Sequence, residues 1–369
     1  MHKKIMIIAT EPSGDSLGYD LIKAIQRESD DILFFGIGGE KMESLKFKSI
    51  INMKELSVNG IIEVLLRLKS FVKYINQTIK FINTNKPDVI VTIDSPSFNY
   101  RLIKKLQHLR NKTKFIHYVA PSVWAWKKYR AKQFSKVYDL LLTLFDFEPK
   151  YFKEYKLDSK FVGHPIFFQR RNFKKKNKEK IISFYPGSRV NEINKIFPEM
   201  LEVMKIFSNE NPSYRLKIVT IPSLVDNIKK IMKNEKFEII SNFNKKEQIM
   251  SNSLLAIAAS GTISLELAFY KVPMIIVYNA NFFTTFIIKK LVKIKWCSLI
   301  NIMFNREIVP ELLFENFNKE EILKKINYFL SDRNNFSKQR KYFGKLSGKL
   351  INKNNDPSIL AAKLILNIK

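Results

Sequence analysis

Short runs of apolar, often β-branched residues alternate along this chain with segments whose apolar residues recur at helical spacing. In the first half the runs are Lys4–Thr10, Leu33–Ile37, Val89–Ile93, Phe115–Val119 and Leu140–Leu144. Each run is followed by a turn residue or a proline and then by a helix-like stretch, such as Leu21–Gln26 or Leu102–Leu109. This alternation predicts β-α units and a parallel sheet.

The pattern stops at residues 169–180, QRRNFKKKNKEK, which are nearly devoid of apolar side chains and indicate a basic, solvated linker. It then resumes with the runs Ile181–Tyr185, Leu216–Thr220, Phe237–Ile240, Leu254–Ala258 and Met274–Tyr278. We therefore expect an α/β protein with two doubly wound domains, 1–168 and 181–351. The spacing in Ile359–Ile368 predicts a last helix, and residues 352–369 are candidates to pack back on the first domain.

Composition narrows the class of protein. The chain has 369 residues, 46% of them hydrophobic, which is enough for two cores. Its single cysteine, Cys297, excludes an internal disulfide, and four histidines argue against a structural zinc site, so no cofactor is predicted. The N-terminal apolar run ends at Glu11, too early for an export signal, and no stretch is long enough to span a bilayer. A cytoplasmic protein is expected.

The net charge of +30 favours an anionic partner: nucleic acid, anionic lipid or a phosphorylated substrate. The chain is rich in Lys, Asn, Ile and Phe throughout, so compositional bias explains part of this charge. The lysines are dispersed, apart from a run at 174–180. Because no basic stripe with aromatic platforms and no recognition motif is present, we expect no nucleic acid among the partners.

Two loops of the first half follow predicted strands. Ser13, Gly14 and Asp15 come after the first strand, where glycine allows close approach and a helix start attracts an anion. Ser13 or Asp15 would equally serve as a helix cap. Asp94 follows the Val89–Ile93 run and opens a loop that reaches Asn99. It is a candidate general base, and it is also a candidate cap of the next helix.

The loop Pro121–Trp126 contains Ser122, Trp124 and Trp126, and the cations Lys127, Lys128 and Arg130 follow it. Loop aromatics beside cations suit a sugar phosphate, although both indoles would also fit a hydrophobic core.

Two loops of the second half have a more specific sequence signal. Pro186–Arg189 ends the run Ile181–Tyr185, and a glycine turn with Arg189 at a helix start suits a phosphate. Ser260, Gly261 and Thr262 open another helix, with Glu266 one turn later on the same face. Each loop alone would be an ordinary turn, but together they indicate a nucleotide site, with Glu266 facing the ribose.

The motifs of this chain, in their order and spacing, resemble those of lipid-A-disaccharide synthases from about residue 6 to 330. The resemblance rests on Ser13–Asp15, Asp94–Asn99, Pro121–Trp126, Phe161–Pro165, Pro186–Arg189, Ser260–Glu266, Ser298–Asn301 and Val309–Leu312. The P-S-V-W-A-W run, and S-L-x-N together with V-P-E-L, are specific to that family. S-G-T and P-G-S-R are shared with other transferases.

The resemblance implies a GT-B fold, in which two Rossmann-like domains face each other across a cleft. It implies inverting transfer of 2,3-diacylglucosamine from its UDP conjugate to the 6-hydroxyl of 2,3-diacylglucosamine 1-phosphate, with a β-1,6 link formed and UDP released. The enzyme would act on the cytoplasmic face of the anionic inner membrane of a Gram-negative bacterium. The resemblance is compatible with a monomer and with a homodimer.

The resemblance also implies roles for individual residues. The UDP-binding set comprises Arg189, Ser260, Gly261, Thr262, Glu266 and Asn301. On the acceptor side the resemblance implies catalytic or binding roles for Ser13, Asp15, Asp94 and Asn99. Together with the loops described above, we predict that Asp94, Asp15 and Ser13 are catalytic, and that the acceptor is bound by Gly14, Asn99, Ser122, Trp124, Trp126, Lys127 and Arg130.

Three positions depart from the family pattern. Ser97 stands where a second acid is common, Lys127 replaces an arginine, and Asn59 replaces the methionine before Gly60. With Ser97 neutral, Asp94 is the only acid of its loop and the preferred base, with Asp15 as the alternative. The chain contains no D-x-D, so we expect helix starts and Arg189 to stabilise the leaving UDP without a metal.

Residues 56–82 place many apolar side chains on one predicted helical surface flanked by cations. We expect Val58, Ile61, Ile62, Leu65 and Leu66 to contact acyl chains or the membrane surface. A core-facing helix would show the same pattern.

The sequence leaves two alternative hypotheses for the function. One is another UDP-N-acetylglucosamine enzyme, either a muropeptide transferase or a 2-epimerase. The other is a basic protein without chemistry that binds a membrane surface or nucleic acid.

Overall fold

The structure is a computed structural model that describes residues 3–29, 31–53, 68–125, 127–169, 180–279, 295–332, 334–352 and 355–368. Its internal contacts divide the chain into two compact units. The first unit contains residues 1–168 and 348–369, and the second contains residues 169–347.

The first unit is built on a parallel sheet of seven described strands in the order β3-β2-β1-β4-β5-β6-β7. The strands are β1 (Lys3–Ala9), β2 (Ile32–Ile37), β3 (Lys48–Ser49), β4 (Val89–Ile93), β5 (Lys114–Tyr118), β6 (Leu140–Thr143) and β7 (Asp158–Phe161). The helices are α1 (Pro12–Glu28), α2 (Glu40–Glu43), α3 (Leu68–Asn85), α4 (Pro96–Lys105), α5 (Tyr129–Ser135), α6 (Lys150–Lys153) and α7 (Pro165–Gln169).

The second unit has a parallel sheet of six described strands in the order β10-β9-β8-β11-β12-β13. The strands are β8 (Ile181–Tyr185), β9 (Arg215–Val219), β10 (Glu238–Ile240), β11 (Leu255–Ala259), β12 (Met274–Tyr278) and β13 (Glu311–Leu313). The helices are α8 (Val190–Glu210), α9 (Val225–Met232), α10 (Phe243–Asn252), α11 (Ile263–Phe269), α12 (Leu299–Phe304), α13 (Lys319–Ser331) and α14 (Asn334–Lys345).

Burial explains why the central strands form. Every residue of β4, β8 and β11 is buried, because helices cover both faces of a parallel sheet. Phe184 on β8 packs with Phe197 and Met200 of α8 in the core of the second unit. Complete burial of one such side chain is worth about 1.5–3 kcal/mol, so these apolar runs supply much of the stability of each unit.

The chain returns to the first unit after the second unit is complete. Helices α15 (Ser347–Leu350) and α16 (Pro357–Leu366) follow, and α16 packs against α1. Ile351 forms an antiparallel bridge with Gly163, and His164 N donates to Leu350 O at 2.7 Å. The expected final helix is therefore present, and it lies on the first unit.

The strands expected from the apolar runs are all present, and β4, β8 and β12 have the expected bounds. Three further strands, β3, β7 and β13, were not predicted. No helix within the described ranges is long and apolar enough to cross a membrane. The proposed lipid contacts Val58, Ile61, Ile62, Leu65 and Leu66 lie outside the described residues, as do Trp126 and most of the linker.

Candidate active site

The predicted functional loops flank the points where the strand order of each sheet reverses. In the first unit β1 and β4 are neighbours, and they lead into the Ser13–Asp15 and Asp94–Asn99 loops. In the second unit β8 and β11 are neighbours, and they lead into Pro186–Arg189 and Ser260–Glu266. Ligands of open parallel sheets bind at such switch points, outside the carboxyl ends of the strands.

The carboxylate of Asp15 is hydrogen-bonded to backbone groups of the protein. Asp15 is buried in the first turn of α1, and its Oδ1 accepts from Gly39 N at 2.8 Å and Met42 N at 3.1 Å. Its Oδ2 accepts from Lys41 N at 3.0 Å. Asp15 therefore caps the start of α2 from the neighbouring helix α1, which favours a structural role over proton transfer.

Gly14 and Ser13 differ in their surroundings. Gly14 is buried, and a Cβ there would approach Ala9 Cβ to 3.2 Å and Ile93 Cγ2 to 3.5 Å. Its lack of a side chain lets α1 pack closely on β1 and β4. Ser13 is exposed at the start of α1, where a ligand can reach it.

The Asp94 loop holds strained backbone. Asp94 and Ser95 have φ values of 52° and 42°, and β-branched Val119 at the neighbouring strand end has φ 78°. Each such residue costs on the order of 1–3 kcal/mol and persists only where its surroundings fix it. The Nδ2 atom of buried Asn99 donates to Asp94 O at 2.7 Å and Ile93 O at 3.4 Å. Asn99 thus holds the turn that presents the Asp94 side chain.

Hydroxyl contacts join this turn to the loop after β1. Thr10 Oγ1 donates to Ser95 Oγ at 2.6 Å, and Ser95 Oγ donates to Glu11 Oε1 at 3.2 Å. The two loops at the β1/β4 switch point therefore form one surface.

A buried acid that the motifs did not single out supports the tryptophan loop. Glu148 follows β6, and its Oε2 accepts from Leu144 N and Phe145 N, both at 3.1 Å. Its Oε1 accepts from Trp124 Nε1 at 3.5 Å, and the Trp124 ring lies edge-on to Phe147 with centroids 5.7 Å apart. Trp124 is half-buried in this aromatic cluster, whereas Ser122 is exposed.

Glu148 predicts a pH dependence of stability. Burial raises its pKa from 4.5 to about 8, against the hydrogen bonds that favour the carboxylate. A carboxyl with a raised pKa in the folded chain stabilises the fold fully below pH 4.5, and this contribution is lost as the pH rises to about 8. We expect the melting temperature of the wild type to fall over this window by roughly 5 °C or more relative to that of Glu148→Gln.

Exposed Glu154→Gln is the matched control and should keep the pH dependence of the wild type. Parallel melting curves for wild type and Glu148→Gln across this range would show that Glu148 does not titrate there.

Two cations of the first unit meet at the start of α4. Arg130 Nη2 donates to Ser97 Oγ at 2.9 Å, and Arg101 Nη1 donates to Ser97 O at 3.0 Å. Lys127 lies one turn before Arg130, with Arg130 N donating to Lys127 O at 2.9 Å. The structure thus brings Lys127 and Arg130 to the Asp94 loop, as a shared acceptor site would require.

In the second unit, Arg189 precedes the first turn of α8. Gly187 before it has φ 124°, which favours glycine. Glu192 Oε2 accepts from Ser188 N at 2.9 Å, and its Oε1 pairs with Arg189 Nη1 at 3.2 Å. Arg189 is 58% exposed, so the guanidinium is accessible to a ligand. Glu192 thus places its own carboxylate at the helix start that suits a phosphate.

Ser260 directly follows β11 and contacts Cys297. Ser260 Oγ donates to Cys297 O at 3.2 Å, and Cys297 Sγ donates to Ser260 Oγ at 3.0 Å. Burial raises the pKa of Cys297 to about 11, so the thiol stays protonated. Gly261 and Thr262 are exposed, and a Cβ on Gly261 would meet nothing within 4 Å. The start of α11 is therefore open.

Asn301 and Glu311 fix the segment around Cys297. Buried Asn301 accepts through Oδ1 from Ile308 N at 2.7 Å and donates through Nδ2 to Glu311 Oε1 at 2.7 Å. The Glu311 carboxylate accepts from the backbone N of Cys297 and of Ser298, both at 2.8 Å. Burial raises the pKa of Glu311. Because Asn301 uses both side-chain atoms within the protein, its geometry favours loop positioning over direct UDP contact.

Tyr278 lies at the end of β12, and its ring packs edge-on against Phe314 with centroids 5.9 Å apart. Burial raises the pKa of Tyr278, the negative charge of Glu192 raises it further, and the positive charge of Arg189 lowers it. Arg189, Glu192 and Cys297 therefore lie near enough to Tyr278 to affect its pKa, and Ser260 contacts Cys297. Glu266 lies on α11 and pairs with Lys246 Nζ at 3.3 Å, with both side chains mostly buried.

Several residues that hold the functional loops in place were not predicted from the sequence motifs. Glu311 lies in the V-P-E-L motif, although its role in fixing the Cys297 segment was not predicted. Glu148, Glu192 and Tyr278 were missed, and Glu192 had one usable signal, its place one turn after the glycine turn.

Comparisons with known proteins agree with this architecture. The sequence model of the family described as lipid-A-disaccharide synthetase matches residues 5–364. The chain is 35% identical to the lipid-A-disaccharide synthase of Rickettsia prowazekii, covering 98% of both proteins. It is 32% identical to that of Gluconobacter oxydans, covering 99% of this chain and 90% of the relative.

Solved structures share the fold at low sequence identity. A UDP-GlcNAc 2-epimerase from Neisseria meningitidis bound to UDP-GlcNAc superposes with a TM-score of 0.64 and 10% identity, covering 99% of this chain and 98% of that one. The glycotransferase of kitacinnamycin gives a TM-score of 0.62 and 12% identity, with the same coverage. By its sequence and its two α/β units, the chain belongs to the lipid-A-disaccharide synthase family, and it is a glycosyltransferase with the GT-B fold.

Proposed function

We propose that the protein transfers 2,3-diacylglucosamine from UDP-2,3-diacylglucosamine to the 6-hydroxyl of 2,3-diacylglucosamine 1-phosphate. The products are a β-1,6-linked disaccharide and UDP. The observation that carries the proposal is the placement of family motifs at both switch points, with an acid in the first unit and an arginine at a helix start in the second.

The second unit is proposed to bind UDP. Arg189 and the starts of α8 and α11 offer a guanidinium and backbone N–H groups, which suit a diphosphate. The Neisseria epimerase binds UDP-GlcNAc on the same fold, which supports a nucleotide sugar here. Glu192 would move aside when the phosphates arrive, because its carboxylate and theirs repel one another.

The chemistry follows from the placement of charge. As the acceptor 6-oxygen bonds to the anomeric carbon, the bond from that carbon to the phosphate oxygen breaks and the configuration inverts. Asp94 takes the proton of the hydroxyl, since the Asp15 carboxylate already accepts three backbone N–H groups. Negative charge grows on the leaving UDP, where Arg189 and the helix starts stabilise it.

The substrates carry acyl chains, so we place the enzyme at the cytoplasmic face of the inner membrane of a Gram-negative bacterium. The net charge of +30 suits an anionic membrane surface. Co-sedimentation with anionic and neutral vesicles checks this placement, and equal absence from both pellets would contradict it.

UDP release is the test of the proposed reaction. With UDP-diacylglucosamine as donor, we expect UDP to form only when diacylglucosamine 1-phosphate is added, and the product mass to equal that of the disaccharide. We expect a chelator to leave the rate unchanged, because the chain lacks a D-x-D. UDP formation or sugar epimerisation without the acceptor would indicate an epimerase, and no turnover with any acceptor would reject the proposal.

A further inference from the structure

Two cationic side chains, Arg101 and Arg130, contact Ser97, and Lys127 lies one turn before Arg130; these three residues are called the Ser97 cation cluster. One guanidinium donates to the hydroxyl of Ser97 and the other to its carbonyl, at 2.9 and 3.0 Å. Ser97 brings no negative charge to this point. Two guanidinium groups are thus held at a single residue in the first turn of α4.

Electrostatics agree with this geometry. The pKa of Lys127 is lowered first by burial and then by the positive charges of Arg130 and Arg101. An ammonium feels such repulsion only when the like charges lie close together. An anion bound among them would relieve this repulsion, so the cluster favours a ligand with more than one negative charge.

The arginines are also held in position before any ligand binds. The Arg101 guanidinium lies over the Phe71 ring at 5.6 Å, and Phe71 in turn packs edge-on against Phe98 with centroids 5.3 Å apart. Arg130 is held by the Ser97 hydroxyl. A guanidinium fixed in this way loses less side-chain freedom when it binds a phosphate.

The cluster lies near the proposed base. Ser97 is three residues after Asp94, so their Cα atoms are at most about 10 Å apart. In the proposed acceptor, the 1-phosphate and the reactive 6-hydroxyl are attached at different positions of the sugar ring. A phosphate at the cluster would therefore leave the hydroxyl free to face Asp94.

We infer that the Ser97 cation cluster binds the phosphate monoester of the acceptor sugar. This inference rests on the proposed function, and it separates two phosphate sites: the donor diphosphate in the second unit and the acceptor 1-phosphate in the first. A dianion held by paired guanidinium groups is the chemistry that the cluster supplies.

Binding of a soluble probe tests the site without turnover. We expect glucosamine 1-phosphate to bind the wild type, measured by calorimetry or NMR titration, and glucosamine to bind much more weakly. Arg101→Gln and Arg130→Gln should each raise the Kd for glucosamine 1-phosphate by about tenfold or more. Lys104→Gln, an exposed cation on the same helix, should leave it unchanged. Equal affinity in wild type and both arginine variants would overturn the inference.

Acceptor kinetics separate the inference from the proposed function. The wild type should prefer the acceptor with a 1-phosphate over the same sugar without it, and the arginine variants should lose this preference through KM while kcat is kept. If the arginine variants were active and still preferred the 1-phosphate acceptor as strongly as the wild type does, the phosphate site at the Ser97 cation cluster would be rejected. The proposed reaction would not be affected by that result. Absence of any product, together with arginine-dependent binding of the probe, would reject the reaction but support the phosphate site.

An anionic lipid headgroup offers the same phosphate chemistry, and vesicles distinguish it. If the double variant Arg101→Gln and Arg130→Gln lost binding to phosphatidylglycerol vesicles but kept its affinity for glucosamine 1-phosphate, the cluster would be a headgroup site and the inference would fail. Loss of probe affinity with vesicle binding unchanged supports it.

Discussion

Replacing Asp94 with asparagine is expected to lower the turnover number about a hundredfold or more while UDP affinity is kept. Asparagine has nearly the shape of aspartate but cannot accept the proton of the acceptor hydroxyl. The backbone contacts that hold the turn, from Asn99 Nδ2 to Asp94 O and from Asp94 N to Tyr118 O, do not involve the carboxylate. The strained turn should therefore persist, and the loss should fall on kcat.

Asp15→Asn is the informative comparison. An asparagine accepts through one oxygen only, so at least one of the three backbone N–H groups at the start of α2 would lose its partner. We expect a lower melting temperature from this variant, since an unsatisfied buried N–H costs about 1–3 kcal/mol. If Asp94→Asn turned over at nearly the rate of the wild type, the base would lie elsewhere.

Arg189→Ala and Glu266→Ala are expected to weaken UDP binding roughly ten- to hundredfold each, because a charge-assisted contact is worth about 1.5–3 kcal/mol. For Arg189 the reason is twofold. The variant removes the guanidinium, and it leaves the Glu192 carboxylate without its partner at the same helix start, where it would repel the phosphates. For Glu266 the variant removes the carboxylate that is the proposed ribose partner.

Calorimetry with UDP measures both effects. Lys195→Ala replaces an exposed cation on α8, the helix that Arg189 precedes; it is the matched control and should bind UDP as the wild type does. Unchanged affinity in both Arg189→Ala and Glu266→Ala would reject the assignment of the nucleotide site.

The central strands were predictable because burial on both faces demands uninterrupted apolar residues, as in Val89–Ile93 and Ile181–Tyr185. The strand β7, with sequence DSKF, lies at the sheet edge and is only partly buried, so its sequence carries no such run. β13 is three residues long and follows Pro310, which made it equally hard to predict. Local sequence therefore indicates a strand most clearly where tertiary burial demands a continuous apolar run.

For the candidate site, the sequence predicted which loops follow the strands. It did not predict the hydrogen-bond partners of individual side chains in those loops. The sequence predicts that Asp15 is a catalytic acid or a cap of its own helix. In the structure its carboxylate instead caps α2, more than twenty residues away in the chain. Glu148 and Glu311 are buried acids whose donors are backbone N–H groups of folded loops. Such donors exist at every residue, so no sequence pattern reveals which ones a carboxylate will meet.

The return of the chain to the first unit has a consequence for synthesis on the ribosome. The second unit is one continuous segment, so all of it can emerge and fold as a block. The first unit is discontinuous, because α16 packs on α1 and Ile351 pairs beside β7. During translation the surface of α1 stays uncovered until residues 348–366 emerge, after every strand of the second unit. The nascent first unit thus keeps the face of α1 that α16 later covers exposed to solvent for most of elongation.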